Sequence, residues 1–339
     1  MSKQSKWKQG LLKTGLPLEY VVAGHLNSRG HTIFGEYPYI RPDETGEARE
    51  FSVDIRTHKD LTPGECLHTL SLLVECKYRS PGTMWIFAPL PADSYPIGII
   101  SDTEDFFPVR FHSHAIWDFE NELGYCVGGV EVTSDGGGNT SGVKHGIFQL
   151  RFAMPSLLKQ TFKHSLGHVW SDGRSVSFIC PLLVTTAELR VIRPRLSLND
   201  FLGADQIDDV TEVREAVIIN EQPGPQLQEY AERLSREFIA EHPEAERRLA
   251  ALSEILVGVE YESRNAPDLD MVMRAFDGAT ERILIVHFDA LDKVLERLDE
   301  AIQHHLESEK VYGKLKMING GLSLLDPEEN VVAGHLERA

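Results

Sequence analysis

Residues 67–79, LHTLSLLVECKYR, constrain the fold more than any other stretch of the chain. A run this apolar reads as a largely buried strand, and its period of two puts Leu70, Leu72, Val74, Cys76 and Tyr78 on one face. Leu73, Glu75, Lys77 and Arg79 fall on the other. Glutamate and lysine are depleted from strand interiors, so a glutamate hemmed in by Leu72, Leu73 and Val74 needs a reason to be there. Two more strands precede this one. Residues 31–40 are aromatic and β-branched, residues 48–57 contain FSVDIR, and the turn Pro42-Asp43-Glu44-Thr45-Gly46 joins them as a hairpin. On the second strand Phe51, Val53 and Ile55 are expected to share one face, leaving Asp54 on the other with Ser52 and Arg56. As antiparallel neighbours about 4.8 Å apart, the second and third strands bring Asp54 and Glu75 to one point, with Lys77 beside them.

Two carboxylates meeting at one point repel each other unless a cation lies between them. An oxygen-only site of this kind suits Mg²⁺, with Mn²⁺ as a substitute, and the backbone carbonyl of Cys76 is the expected third ligand beside Asp54 and Glu75. Such a metal polarises a phosphoryl oxygen and acidifies a bound water, while Lys77 orients that water or neutralises charge in the transition state. The bland reading of the same residues is a salt-bridged pair on a solvated strand face.

Around these strands, Thr14-Gly15-Leu16-Pro17 reads as a helix entry, and Leu18, Val21, Val22 and Leu26 mark one face of a helix ending near Gly30. Glu19 lies one position off that stripe. A helix over residues 144–163 and strands over 175–184 and 188–192 follow a long segment, 80–142, whose Gly-rich end SDGGGNTSG (134–142) reads as a flexible loop. The order of helix, three strands, helix and strand gives an α/β or α+β core with a mixed sheet flanked by helices.

That order, with Asp54 on the second strand and Glu75-x-Lys77 on the third, resembles the PD-(D/E)XK nuclease superfamily, the restriction-endonuclease-like fold. Asp54, Glu75 and Lys77 match its motif positions, and Glu19 matches the acidic residue often carried by its first helix. The likeness covers about residues 11–195, with Val53 where the superfamily's proline stands and residues 80–142 as an insertion. It implies a Mg²⁺-dependent deoxyribonuclease that hydrolyses DNA phosphodiester bonds, in restriction of foreign DNA, anti-phage defence or repair. The alternative from another class is a non-catalytic interaction subunit that retains the fold.

Charge separates the two parts of the chain. Of the net −18, residues 1–200 carry −2 (20 basic, 22 acidic) and residues 201–339 carry −16 (14 basic, 30 acidic). The expected organisation is therefore a nuclease-like domain, 1–200, and an acidic, mainly helical region, 201–339, serving homo-oligomer assembly, a partner protein or regulation. In that region Leu227, Tyr230, Ala231, Leu234 and Phe238 keep helical spacing, as do Leu249, Leu252 and Leu256. Residues 282–288 read as a buried strand, with Asp289 capping a helix to about Glu307 whose leucines approach coiled-coil phase. The hexapeptide VVAGHL occurs twice, at 21–26 and 331–336.

No stretch reaches the roughly 20 apolar residues of a membrane span and no signal-peptide core is present, so a cytoplasmic protein with no membrane partner is expected. Cys66, Cys76, Cys126 and Cys180 show no zinc-ligand spacing and read as reduced, buried thiols. His112-Ser113-His114 with Asp118, Glu120 and Glu122 is a weaker candidate metal cluster, while His164, His168, His304 and His305 read as ordinary helix histidines. Gln149 and Lys144 are candidates to reach the site or a phosphate. Lys3, Lys6, Lys8 and Lys13, with Trp7 among them, read as a solvated terminus.

Overall fold

The computed structural model describes residues 6–43, 45–61, 67–90, 101–104, 114–168, 175–245, 269–308, 314–318, 321–325 and 331–336. Helices α1 (Lys6–Lys13) and α2 (Leu16–Ser28) lead into an antiparallel meander of β1 (Thr32–Pro42), β2 (Ala48–Asp60) and β3 (Leu67–Lys77). There follow β4 (Met84–Pro89), β5 (Ser101–Glu104), α3 (His114–Leu123), β6 (Tyr125–Val132), β7 (Gly138–Asn139) and α4 (Ser141–His168). Helix α4 returns the chain to β8 (Ser175–Thr185), which runs parallel to β3 along its whole length. The rest comprises β9 (Glu188–Ile192), α5 (Leu198–Gly203), α6 (Ile207–Val210), β10 (Thr211–Arg214), β11 (Ala216–Asn220), α7 (Pro225–Glu241), α8 (Leu269–Gly278), β12 (Arg282–His287) and α9 (Leu291–Ser308). Strands β13 (Lys314–Ile318), β14 (Gly321–Leu325) and β15 (Val331–Leu336) form a separate antiparallel sheet.

Among the described residues the main sheet has 12 strands and is mixed, its order being β1-β2-β3-β8-β12-β11-β6-β4-β9-β10, with β5 on β8 and β7 on β6. Both faces are covered. On one, Leu73, Ile179, Leu183, Val217, Ile219, Ile283 and Ile285 pack under α4, α7 and α8. On the other, Leu72, Val74, Phe178, Leu182, Ile218, Leu284 and Val286 pack under α2, α3 and α9. This two-sided burial is why SVSFICPLLVT, AVIIN and RILIVH read as nearly continuous apolar runs rather than alternating ones.

The division at residue 200 does not divide the sheet. Strands β12 and β11, from the acidic region, lie between β8 and β6 at its centre, and β4 and β6, from residues 80–142, extend it beyond them. Described carboxylates of this region such as Glu229, Asp292, Glu296 and Glu300 are exposed on its helices, and the region's apolar strands complete the core. The buried Arg151 of α4 ties the parts together, donating to the backbone carbonyls of Glu221 (3.2 Å) and Glu281 (3.0 Å) and to the Glu221 carboxylate (3.3 Å).

Other boundaries also differ from expectation. Within residues 134–142, Gly136, at φ 82°, turns β6 back into the two-residue β7, and Asn139 Oδ1 accepts from the Ser141 N–H (2.7 Å), so α4 starts at Ser141 rather than Lys144. Residues 288–290 form a 3₁₀ turn before α9, so Asp289 lies inside that turn and is not the cap. The near-heptad spacing of α9 reflects packing on the sheet, where Leu291, Val294, Leu295, Leu298, Ala301 and Ile302 are buried, and not a coiled coil. Leu249, Leu252 and Leu256 lie outside the described residues. Cys76, Cys126 and Cys180 are free and buried; Cys66 is outside the described residues. No helix among the described residues is long and apolar enough to cross a membrane.

Candidate active site

Strands β2 and β3 pair from Asp60 opposite Thr69 to Ile55 opposite Val74, and there the pairing ends although both strands continue. At the same level β1 and β2 slip in register: Gly35 lies opposite Arg56 but Tyr37 lies opposite Val53, leaving an extra residue of β2 in a bulge at Asp54 and Ile55. A bulge breaks side-chain alternation and re-aims what it carries. Val53 consequently packs with Tyr37 and Leu73 on the α4 face, and Ile55 with Leu72 and Val74 on the opposite face. The expectation that Val53 and Ile55 share a face is corrected by this bulge. Asp54 turns toward β3, where its Oδ2 accepts from the Cys76 N–H at 2.7 Å and substitutes for a ladder hydrogen bond.

Glu75 is fully buried beneath α4. Its Oε1 accepts from Lys77 Nζ, and its Oε2 finds no hydrogen-bond donor among the described residues. Lys77 Nζ also donates to Gln149 Oε1 (3.0 Å), and Gln149 Nε2 donates to the Ser52 carbonyl (3.3 Å), so one glutamine fixes the lysine against both diverging strands. The backbone of Lys77 is held as well, its carbonyl accepting from Thr185 Oγ1 at 2.9 Å.

Helix α4 can lie this close because of its glycines. A Cβ on Gly146 would stand 2.7 Å from Leu183 Cδ1 and 3.2 Å from Lys77 Cε, and one on Gly142 would stand 2.8 Å from Arg79 Nη2. Gly142, Gly146 and Gln149 share one face of the helix, which runs along the end of β3. Gly146→Ala is expected to destabilise the fold by about 1–3 kcal/mol, read by chemical denaturation, because both neighbours must move in a packed core; a neutral effect would mean that Lys77 is not held as described.

Burial, then the charge of Asp54, pushes the Glu75 carboxyl up to about 7, against the pull of Lys77. Burial likewise raises Asp54, offset by the Cys76 N–H and Lys77. Glu19 is raised by burial, then by Asp54 and Glu36, and lowered by Lys77. Asp54 is thus electrostatically coupled to Glu75, Glu19, Glu36 and Lys77. The Cys76 thiol is pushed well up by burial, so the sulfur stays protonated and any contribution from this residue comes through its backbone.

Of the residues expected from sequence, Asp54, Glu75 and Lys77 are brought together, Glu19 adjoins them from α2, and Gln149 contacts Lys77 directly. Lys144 is exposed on the first turn of α4. The second candidate cluster does not assemble: Asp118 is exposed, Glu120 is buried and accepts from Tyr125 Oη (2.6 Å), and Glu122 pairs with Arg297. His112 and Ser113 lie outside the described residues, as do the side chains of His114, His168 and His305, while His164 and His304 are exposed. Glu36 is the functional candidate that sequence reading missed. Its signal was Gly35, a glycine inside an aromatic strand, which marks a bulge; here it has φ 77° and precedes a glutamate.

Among the described residues, no three His, Cys, Asp or Glu side chains stand as a ready ligand group. Magnesium is commonly bound through one or two carboxylates with water and substrate completing its shell, so a pair suffices. The orphaned, buried Oε2 of Glu75 beside Asp54 fits such a cation. Comparison with protein-family models, curated proteins and solved structures finds no match to this chain.

Proposed function

We propose that this chain is a Mg²⁺-dependent deoxyribonuclease with a restriction-endonuclease-like core, hydrolysing DNA phosphodiester bonds at the fork between β2 and β3. The observation that carries this reading is the buried Glu75, with one oxygen on Lys77 and the other without a donor among the described residues, set beside Asp54 where the strands part. A buried carboxylate satisfied at only one oxygen is costly, and proteins keep such groups where a cation or chemistry uses them. The antiparallel β1–β2–β3 meander and the return through α4 to a parallel β8 also support the fold part of the proposal. Role in restriction or anti-phage defence follows from the resemblance alone.

In this reading Asp54, Glu75 and the Cys76 carbonyl would hold Mg²⁺, with Mn²⁺ as a substitute. The metal, when bound, supplies Lewis-acid polarisation of the phosphoryl oxygen and a more acidic water. Lys77, held by Gln149, presents its ammonium to the attacking water and to the charge that develops on phosphorus oxygens. Glu19 and Glu36 add negative charge that repels a phosphate in the absence of cations, which makes activity depend on the metal.

Incubating the full chain with end-labelled linear DNA and with supercoiled plasmid tests the reading. Cleavage that requires Mg²⁺ or Mn²⁺ and stops with a chelator is the expected result. Its absence under both metals, for a folded chain, would overturn the proposal.

A further inference from the structure

The first carboxylate in the chain is Glu19; residues 1–18 contain four lysines and no acid, within a protein of net charge −18. The part of this segment that is described is helical. Lys6–Lys13 forms helix α1, which buries none of its residues. Lys6 and Lys13, seven apart, share one side of it. Trp7 and Leu11, four apart, form the adjoining stripe, and Lys8 flanks that stripe on its other side. Trp7 is 70% exposed and Leu11 44%.

Helix α1 is joined to the site by a fixed corner. Gly15 adopts φ 84°, its N–H donates to the Leu12 carbonyl (3.2 Å), and it starts α2 as the N-cap. A Cβ on Gly15 would lie 3.0 Å from Glu19 Oε1, so the corner abuts the carboxylate that adjoins Asp54. Tyr20, next to Glu19, is 80% exposed, and Leu16 and Val21 are exposed beside it. A basic helix with an exposed indole thus leads through one glycine to an exposed phenol at the margin of the carboxylate cluster.

We propose that α1 and the start of α2 form a DNA grip, in which Lys6, Lys8 and Lys13 bind backbone phosphates and Trp7 and Tyr20 stack on unpaired bases. This rests on the nuclease reading of the neighbouring site. Lysines supply the sequence-independent part of DNA affinity, and aromatic rings accept any base because every base has a π-face. The grip also answers an electrostatic problem: the site is a nest of carboxylates in an acidic protein, and a strand needs a local positive surface to approach it. An anionic membrane is the competing occupant of a basic helix carrying tryptophan. The position decides against it, since α1 is only two turns long, presents a narrow apolar stripe and ends at the catalytic carboxylates.

The test uses the full chain in chelator, so that no DNA is cut, with short single-stranded and duplex oligonucleotides measured by fluorescence anisotropy between about 50 and 200 mM salt. Combined Lys6→Glu, Lys8→Glu and Lys13→Glu is expected to weaken binding at least tenfold and to flatten the log–log salt slope by about three. Trp7→Ala is expected to weaken single-strand binding about tenfold with the slope unchanged. All four positions are exposed, and circular dichroism verifies that the variants fold. An unchanged slope and affinity in the lysine variant, or binding to phosphatidylserine vesicles without binding to DNA, would overturn the grip. Assaying the native chain and the lysine variant for cleavage with Mg²⁺ or Mn²⁺ separates the two proposals. Lysine-dependent DNA binding in a chain that never cuts supports the grip and rejects the nuclease reading, whereas metal-dependent cutting with KM untouched by the lysine changes rejects the grip alone.

Discussion

Replacing Lys77 by Met is expected to lower the rate of DNA hydrolysis by about 10²–10³-fold, the usual cost of losing one pre-organised group that meets developing charge. Methionine keeps the unbranched stem that packs against Gly146 and removes the ammonium. What the ammonium leaves behind gives a second, independent readout. Glu75 Oε1 and Gln149 Oε1 lose their donor, and the charge and hydrogen bond of Lys77 are the larger of the influences that draw the Glu75 carboxyl down, the Asp54 backbone N–H being the other. Without it the Glu75 proton is held beyond about 7, so any residual activity should shift to higher pH. A single-turnover pH profile measures both effects. Equal rates for the two proteins would remove Lys77 from the chemistry, and a lowered rate with an unshifted profile would mean that it does not interact with Glu75.

Glu75→Gln is expected to abolish cleavage while stabilising the metal-free fold at alkaline pH. The folded chain holds the Glu75 proton up to about 7 against an ordinary value of 4.5, so between these values it binds more protons than the unfolded chain. Stability from this group is therefore fully present below about 4.5, declines as pH rises and is gone above about 7. A shift of this size corresponds to roughly 3 kcal/mol. Chemical denaturation in chelator should show the variant and the native protein alike near pH 4.5, and the variant more stable by up to that amount at pH 8. Adding Mg²⁺ at pH 8 should stabilise the native protein and leave the variant unchanged, since only a charged pair holds the ion. A variant less stable than the native protein at pH 8 would show that Glu75 is not a desolvated charge.

The residues around the fork were legible because they obey short-range rules. Period-two alternation set β3 and the side on which Glu75 and Lys77 fall, and the apolar spacing of α2 located Glu19 beside its buried stripe. What escaped is what pairing decides. The bulge at Asp54 and Ile55 follows from how β1 lies on β2, and FSVDIR alone reads as a regular strand whose face assignment is then wrong at Ile55. Glu36 escaped for the same reason, because its approach to Asp54 depends on the break at Gly35. The central placement of β11 and β12 was hidden because their neighbours are distant in sequence, joined by parallel pairing to β6 and β8. Net charge misled here: the count for residues 201–339 says nothing of the apolar strands they contribute. VVAGHL makes the point in six residues, being helix at 21–26 in α2 and strand at Val331–Leu336 in β15. Local preference did not choose between these forms, so surroundings did.

The central claim is that Asp54, Glu75 and Lys77 constitute one metal-dependent centre for cutting DNA. Supercoiled plasmid incubated with Mg²⁺ and either the native chain or Asp54→Ala, purified identically and equally folded by circular dichroism, tests it most directly. Nicked and linear products with the native chain, and intact plasmid with Asp54→Ala, is the predicted result; equal cleavage by both would place the activity elsewhere and contradict it.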